Sequence, residues 1–456
     1  MKKHDLTRRA FLATATTSAA LVAGCATKTN TAKVVPRKIS PNEKLNIAAI
    51  GSGGQGTSDI MDCHKAGENV IALCDVDWKN AGKVFGLLPG AKQFKDFRKM
   101  FDQIGKDIDA VTVSTPDHFH AYAAFHAMKL GKHVRVQKPL AHTIAEARLL
   151  REVAKETGVT TQMGNQGHSG DGVRDMCEML WDGAIGDLKE VHIWTNRPIW
   201  PQGIAAPLEG QAVPDTMDWD TWIGPAPMRP YSPGYAPFKW RGWWDFGCGA
   251  VGDMACHIVD PAFWALKLGD AASFTCEVVS QEGMTAQTPP NKTVIKYTFP
   301  ARANMPACEF YWYDGKGNLP KRPEGIPADE KLGEGDNGSY FVGSKGVLTT
   351  GCYGGESRIV PKEKMLDYKK PAQSIPRVKG EFHTGDWIAA IKEGRKEASS
   401  HFGYATPLTE VANMGNVALR AGTKIEYDYK NGKITNSKDA NKFLTKEYRK
   451  GWELPC

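Results

Sequence analysis

The stretch that most restricts what this chain can fold into is KLNIAAIGSGGQG, Lys44 to Gly56, an apolar strand run straight into Gly51, Gly53 and Gly56. A glycine turn of this spacing can arise by chance, so its surroundings decide its meaning. A helix-like segment, TSDIMDCHKAG, follows it, and a second strand, NVIALCDVD, ends on Asp75, 19 residues after Gly56. That is the layout of a dinucleotide-binding strand–helix–strand unit. Glycines there let backbone amides approach a pyrophosphate at a helix N-terminus. Gly51, Gly53, Gly54, Gln55 and Gly56 are therefore candidate cofactor residues. Asp75 suits the hydroxyl pair of an adenosine ribose and would repel a 2′-phosphate. Only Trp78 and Lys79 follow to offset that repulsion, so NAD is expected over NADP.

The alternation continues. DIDAVTVSTP is an apolar strand ending at Thr115 and Pro116, and DHFHAYAAFHAMKLGK carries Tyr122, Phe125 and Met128 at a helical spacing. HVRVQKPL is the next strand, and TIAEARLLREVAKETG the next helix. Strands alternating with helices predict a parallel, doubly wound sheet. Thr115, Pro116 and Lys138 fall at strand ends, the edge at which such sheets bind ligands.

The second half reads differently. Between Pro198 and Gly249 the chain is rich in Trp, Pro and Tyr, which rules out long helices and predicts extended loops walling a cleft. Trp240, Arg241, Trp243, Trp244 and Asp245 are its candidate sugar contacts, against the alternative of ordinary aromatic packing. Asn165, Gln166 and His168 stand at a strand-to-helix junction, where polar side chains could hold hydroxyls or His168 could cap the helix. From LKEVHIWTNRP to SRIVPKEKM, alternating apolar and polar residues mark antiparallel strands, with two late helices after them. In GDMACHIVD, Asp253 and His257 are four residues apart and share one face of a helix. Alone, that stretch favours a helix cap and a packed imidazole; the rest of the chain shifts the balance.

The ends are set apart by charge. The opening MKKHDLTRRAFLATATTSAALVAGC has a basic start and an apolar run too short to span a bilayer. Arg8 and Arg9 resemble a twin-arginine export signal, and Val22 to Cys25 resembles a lipobox that would leave Cys25 lipidated. Residues 1–24 are expected as that signal and 25–43 as a polar tether. Together these ends hold six of the seven net positive charges, so nothing in the remainder favours a nucleic-acid partner. An exported protein, periplasmic and membrane-anchored only through the lipid, is expected. Nine cysteines remain after Cys25 with no metal-type C-x-x-C pair, so neither a disulfide framework nor a metal site is expected.

GSGGQG, STPDHFHA, QKPLAHTIAEA, QMGNQGH and GDMACHIVD together resemble the successive motifs of the glucose–fructose oxidoreductase / inositol dehydrogenase / rhizopine-catabolism (Gfo/Idh/MocA) family, over most of the chain from Lys44 onward. The resemblance implies an α/β protein: an N-terminal Rossmann domain, 44–165, and a C-terminal α/β domain, 166–456, built on a large, mostly antiparallel open sheet. It implies Lys138, Asp253 and His257 as catalytic residues, with Lys138 holding the reacting hydroxyl, His257 taking its proton and Asp253 orienting the group. His120, Gln137 and Lys138 would join the cofactor site. The family's usual E-K-P appears as Gln137-Lys138-Pro139, a neutral amide in place of a carboxylate. The expected activity is NAD-dependent oxidation or reduction of a sugar or glycoside, with C3 the expected carbon and the cofactor recycled in place. Glycoside hydrolysis through transient oxidation is the alternative, and a non-catalytic sugar-binding lipoprotein the second. The family commonly forms dimers or tetramers through the open sheet, so a homo-oligomer is expected.

Overall fold

The computed structural model describes residues 35–456; the expected signal and Cys25 lie outside the described residues. Its first half is built from β1 (Asn46–Ile50), α1 (Gln55–Lys65), β2 (Asn69–Cys74), α2 (Trp78–Leu87), β3 (Lys92–Phe94), α3 (Phe97–Ile104), β4 (Ala110–Val113), α4 (Asp117–Lys129), β5 (His133–Val136), α5 (Ile144–Thr157) and β6 (Thr161–Met163). The six strands lie in the order β3-β2-β1-β4-β5-β6, every pair parallel. Strands β4 and β5 are buried at every position, as a sheet covered on both faces requires. Helix α5 begins in a reciprocal cap between Thr143 and Glu146 and ends on Gly158 at φ 72°, a start and stop worth about 1 kcal/mol at the cap.

The second half contains α6 (Asp171–Trp181), β7 (Leu188–Thr195), α7 (Gly249–Ala265), β8 (Ser273–Glu282), β9 (Lys292–Phe299), β10 (Cys308–Asp314), β11 (Gly338–Gly343), β12 (Val347–Thr350), β13 (Arg358–Val360), α8 (His383–Glu393), α9 (Phe402–Ala421), β14 (Ile425–Asp428) and β15 (Lys433–Ile434). Nine strands form one sheet, β13-β12-β11-β7-β10-β9-β8-β14-β15, in which only the β7–β10 pair is parallel. Burial alternates along β9 and β10, so one face is packed and the other partly open. On the packed face Phe274 stacks on Phe299 and Tyr297 on Phe310, with ring centroids 4.8 and 4.3 Å apart.

Two features depart from the reading of the sequence. The stretch from Val35 to Glu43, expected as tether, is laid against the first domain. Arg37 grips Asp109 at 2.7 and 2.9 Å, and Ile39 joins the core beside Leu45 and Ile47. The chain also returns to the first domain after completing the second. Trp387, Ile388 and Ile391 of α8 bury themselves against Ile47, Ile60 and Leu73, and Trp452 packs on Phe119 and Tyr122. The apolar face of β1 and β2 needs a cover that its own helices leave incomplete. Sequence order alone does not reveal such a return. All nine cysteines among the described residues are free, eight of them buried.

Candidate functional site

A cavity of about 460 Å³ opens at the carboxyl edge of the parallel sheet. Its floor is the glycine turn. A Cβ on Gly51 would lie 2.7 Å from Ser114, and one on Gly56 only 1.9 Å from the Gly51 carbonyl, so neither position admits a side chain. Gly54 differs: it sits at φ 55° with open space where a side chain would go, and as N-cap of α1 it offers no side chain to the helix. Backbone is thus left bare towards the cavity at a helix N-terminus, the setting that suits a pyrophosphate.

Asp75 closes the end of β2. One carboxylate oxygen accepts the Ser52 and Gly53 amides at 2.9 and 2.8 Å, and the other accepts that of Asp77 at 2.9 Å. Burial pushes its pKa up to about 6, against the pull of those amides. Asp75 therefore shapes the turn as well as facing the cavity, with lone pairs left for hydroxyl donors. Thr115 Oγ1, in the same wall, is buried without a partner. Bare glycine backbone, a ribose-facing carboxylate and an unshared hydroxyl fit NAD. Asp75→Ala is expected to weaken NAD binding about ten- to hundred-fold, the cost of a lost hydrogen-bonding charge. The wild type should lose affinity as pH falls through 6, because protonation removes an acceptor; cofactor titrations at pH 5 and pH 8 check both.

At the far end of the cavity Lys138, on the loop after β5, donates to Asp253 Oδ1 and to the Asp253 carbonyl, each at 2.8 Å. Arg241 Nε donates to the same Oδ1 at 3.2 Å, and Arg197 Nε lies 3.7 Å from Oδ2. Burial alone would raise the Asp253 pKa; Lys138 and Arg241 overturn that and hold it at about 2. One turn on, His257 lines the cavity with Nδ1 buried and unpartnered, its ring 4.9 Å from that of Tyr353. Burial, reinforced by Lys138, lowers its pKa to about 3, so the imidazole is neutral at pH 7 with a lone pair to offer. Helix α7 holds Asp253 and His257 on one face, and the loop after β5 brings Lys138 to them.

Gln137 donates to both carboxylate oxygens of Asp59, at 3.0 and 2.8 Å. Asp59 also accepts from Ser114 Oγ and pairs with Arg135 at 3.1 Å. The acid missing from the K-P motif is thus supplied by α1, one side chain further back. His120 faces the carbonyls of Pro139 and Thr115, both at 2.8 Å, and burial lowers its pKa to about 4. It ties the two strand-end loops together.

Of the expected sugar contacts, Gln166 and Arg241 line the cavity. Asn165 is enclosed and outside it, its amide without partners. His168 is turned away: Nδ1 meets Asp260 at 3.0 Å and the ring stacks on Trp264 at 4.4 Å. Trp243 and Trp244 are corrections too. Trp243 donates to the Gly234 carbonyl inside an aromatic core with Tyr235 and Phe246, and Trp244 donates to the Thr285 carbonyl. Buried indoles find backbone acceptors, and neither ring reaches the cavity. Trp240, named among the same candidates, does face it, together with Phe238, and Arg241 lies 4.1 Å from the Trp240 ring centre. Sequence reasoning also missed Asp117, Asn80, Arg197 and Tyr353. Asp117 had a signal, standing directly after the Thr115-Pro116 strand end. It accepts the Cys248 amide at 3.0 Å, joining α4 to the start of α7, and burial raises its pKa to about 6.

A family model described as "Oxidoreductase family, NAD-binding Rossmann fold" matches residues 45–165, and the model of its "C-terminal alpha/beta domain" matches 194–301. A glycosyl hydrolase family 109 protein of Shewanella pealeana is 28% identical over 202 residues, which are 40% of this chain and 44% of that protein. The alpha-N-acetylgalactosaminidase of Shewanella oneidensis is 28% identical over 207 residues, 41% of this chain and 45% of its own. The chain thus spans less than half the length of these curated relatives. Among solved structures, the WlbA dehydrogenase of Bordetella pertussis, in complex with NADH and UDP-GlcNAcA, has a TM-score of 0.58 at 14% identity, covering 85% of this chain and 98% of its own. That likeness is one of fold.

Proposed function

This chain belongs to the Gfo/Idh/MocA oxidoreductase family, and from that membership we propose that it moves hydride between a carbohydrate hydroxyl carbon, C3 for preference, and an NAD retained through the cycle. The observation that carries the reading is one cavity holding both the glycine turn and the set Lys138, His257 and Arg241, with Asp253 joined to two of the three. NAD, when bound, supplies the hydride acceptor. Lys138 is placed to donate to the reacting oxygen and stabilise it as its proton leaves. His257, neutral and lining the cavity, takes that proton. Asp253 stays ionised between Lys138, Arg241 and Arg197 and fixes the lysine's direction. Gln166 and Arg241 are available to the ring hydroxyls, and Trp240 to a C–H face. The oxidation converts a CH–OH to C=O, passes two electrons and one proton as hydride, and leaves the second proton on His257.

The likeness to a glycosidase favours a second reading on the same site. A ketone at C3 acidifies the neighbouring C–H, the aglycone leaves by elimination, water adds, and returned hydride restores the alcohol. The net change is then hydrolysis with no NADH accumulated. Retention also suits the twin-arginine and lipobox patterns of residues 1–25, which support export of a folded, loaded protein and its anchoring at a membrane. The half-open stack of His192, Tyr311 and Tyr313 on the nine-stranded sheet supports a homo-oligomer through that face.

Protein purified without added nucleotide is expected to carry about one NAD per chain. An empty protein that turns over added NAD freely would contradict the recycling. Incubation with glycosides and 3-keto-glycosides then separates the two readings: free sugar released at constant 340 nm absorbance marks the hydrolase.

A further inference from the structure

The last turn of the chain reaches back to the wall of the cofactor cavity. That wall runs on from Asp75 through Val76 and Asp77. There the first domain is joined to the aromatic loops of the second half by a short antiparallel bridge, with Met217 opposite Asp77. The Asp218 amide donates to the Val76 carbonyl at 2.8 Å, and the Trp78 amide to that of Thr216 at 3.1 Å. Asp218 then caps a short helix, Trp219–Ile223, accepting from the Thr221 amide and hydroxyl at 3.0 and 2.8 Å. Thr221 and Trp222 of this helix line the cavity.

A helix of five residues leaves most of its carbonyls unmet and does not hold its shape unaided. Arg449 supplies what is missing. Its Nε donates to the Gly224 carbonyl at 2.9 Å, Nη2 to the Asp220 carbonyl at 3.0 Å and Nη1 to Asp220 Oδ1 at 2.6 Å. Its own amide donates to the Pro225 carbonyl at 3.1 Å. One guanidinium therefore holds both ends of the turn that carries Thr221 and Trp222. The Asp220 side chain is 68% exposed, so the ion pair itself adds little. The hold comes from the fork on the two carbonyls. Arg449 is moored in turn. Three residues on, Trp452 packs on Phe119 and Tyr122 of α4. Three residues before, Lys446 donates to the His118 carbonyl at 3.1 Å and pairs with Glu146 of α5 at 2.8 Å. The His118 ring adds a second tie, one nitrogen lying 3.0 Å from the Trp222 carbonyl.

We propose that Arg449 is a positioning residue for the cofactor: it latches the Trp219–Ile223 turn to the first domain and so sets how slowly bound NAD leaves. The proposal rests on NAD occupying the cleft. Arg449 does not line the cavity; it acts through Thr221 and Trp222, whose grip on an occupant is only as firm as the turn that carries them. With the latch gone, the bridge to Val76 and Trp78 and the His118 tie still keep the turn in place. The cofactor still binds, and what changes is the rate of its release.

The test is a chase. The full chain is loaded with radiolabelled NAD and diluted into excess unlabelled NAD, and the label still bound is followed in time. Arg449→Ala should release it about ten-fold faster than wild type, the worth of one charge-assisted hydrogen bond. Arg449→Lys keeps the charge and loses the fork, and should fall between the two. Asp220→Ala should speed release less, and should add nothing to Arg449→Ala. Hydrogen exchange of the loaded Arg449→Ala protein should quicken at the Thr221–Gly224 amides and keep the wild-type rate in β1, β2 and β4, a local loosening that a general loss of stability would not give. Label leaving Arg449→Ala at the wild-type rate, or exchange quickened throughout the first domain, would overturn the proposal. A wild type that sheds its label within seconds would end the retained-cofactor reading instead, and the ratio of variant to wild-type rates would still judge the latch.

Discussion

Lys138→Met is expected to lower kcat by about 10²–10⁴-fold, the usual worth of a positioned acid–base group, with a smaller change in KM. The methionine fills the lysine's volume but cannot donate to the reacting oxygen. Asp253 keeps Arg241 at 3.2 Å and Arg197 at 3.7 Å, so its charge is not left alone and the fold should hold. Rapid-mixing measurement of bound-cofactor reduction, beside circular dichroism of the variant, checks both halves. Unchanged turnover would return the chain to a sugar-binding protein that keeps its nucleotide without chemistry.

Trp387→Ala is expected to destabilise the protein by about 3–5 kcal/mol, the range for a large aromatic removed from a core. The side chain is 0% exposed and its Nε1 donates to the Thr160 carbonyl, so truncation leaves a void and removes one of that carbonyl's two donors, the Val134 amide at 3.2 Å remaining. Leu366→Ala, at a residue 77% exposed, should fall within about 0.5 kcal/mol of wild type. Urea melts of the two variants make the comparison. A Trp387 variant as stable as the leucine control would mean that α8 adds nothing to the first domain.

The first domain could be read from the chain because its signals are local. A strand, a glycine turn and a carboxylate at the next strand's end all fall within Lys44–Asp75, and the sheet assembled in the order such units dictate. Lys138, Asp253 and His257 were legible for another reason: each sits at an element end or on a helix face that the backbone orients. Side-chain direction in the proline-rich loops was not legible. Composition could not say that Trp240 faces the cavity while Trp243 and Trp244 turn to carbonyls, because backbone irregularity sets that choice. Nor could it say that Gln137 borrows its acid from Asp59, a pairing across 78 residues. Arg197 and Tyr353 reach the site from the loops after β7 and β12, whose placement only the folded sheet fixes. The late helix α8 gave no sign that it belongs to the first domain rather than the second.

That last point bears on how the protein is made. Ile47, Ile60 and Leu73 emerge early from the ribosome, yet Trp387, Ile388 and Ile391, which close over them, come more than 300 residues later. At ordinary speeds of synthesis that gap lasts roughly fifteen seconds to a minute. Throughout it, a finished-looking nucleotide domain shows a greasy flank to every chaperone and neighbouring nascent chain. Maturation therefore waits on translation of the far end, and a stall or truncation before α8 should yield an aggregating fragment rather than a free-standing half.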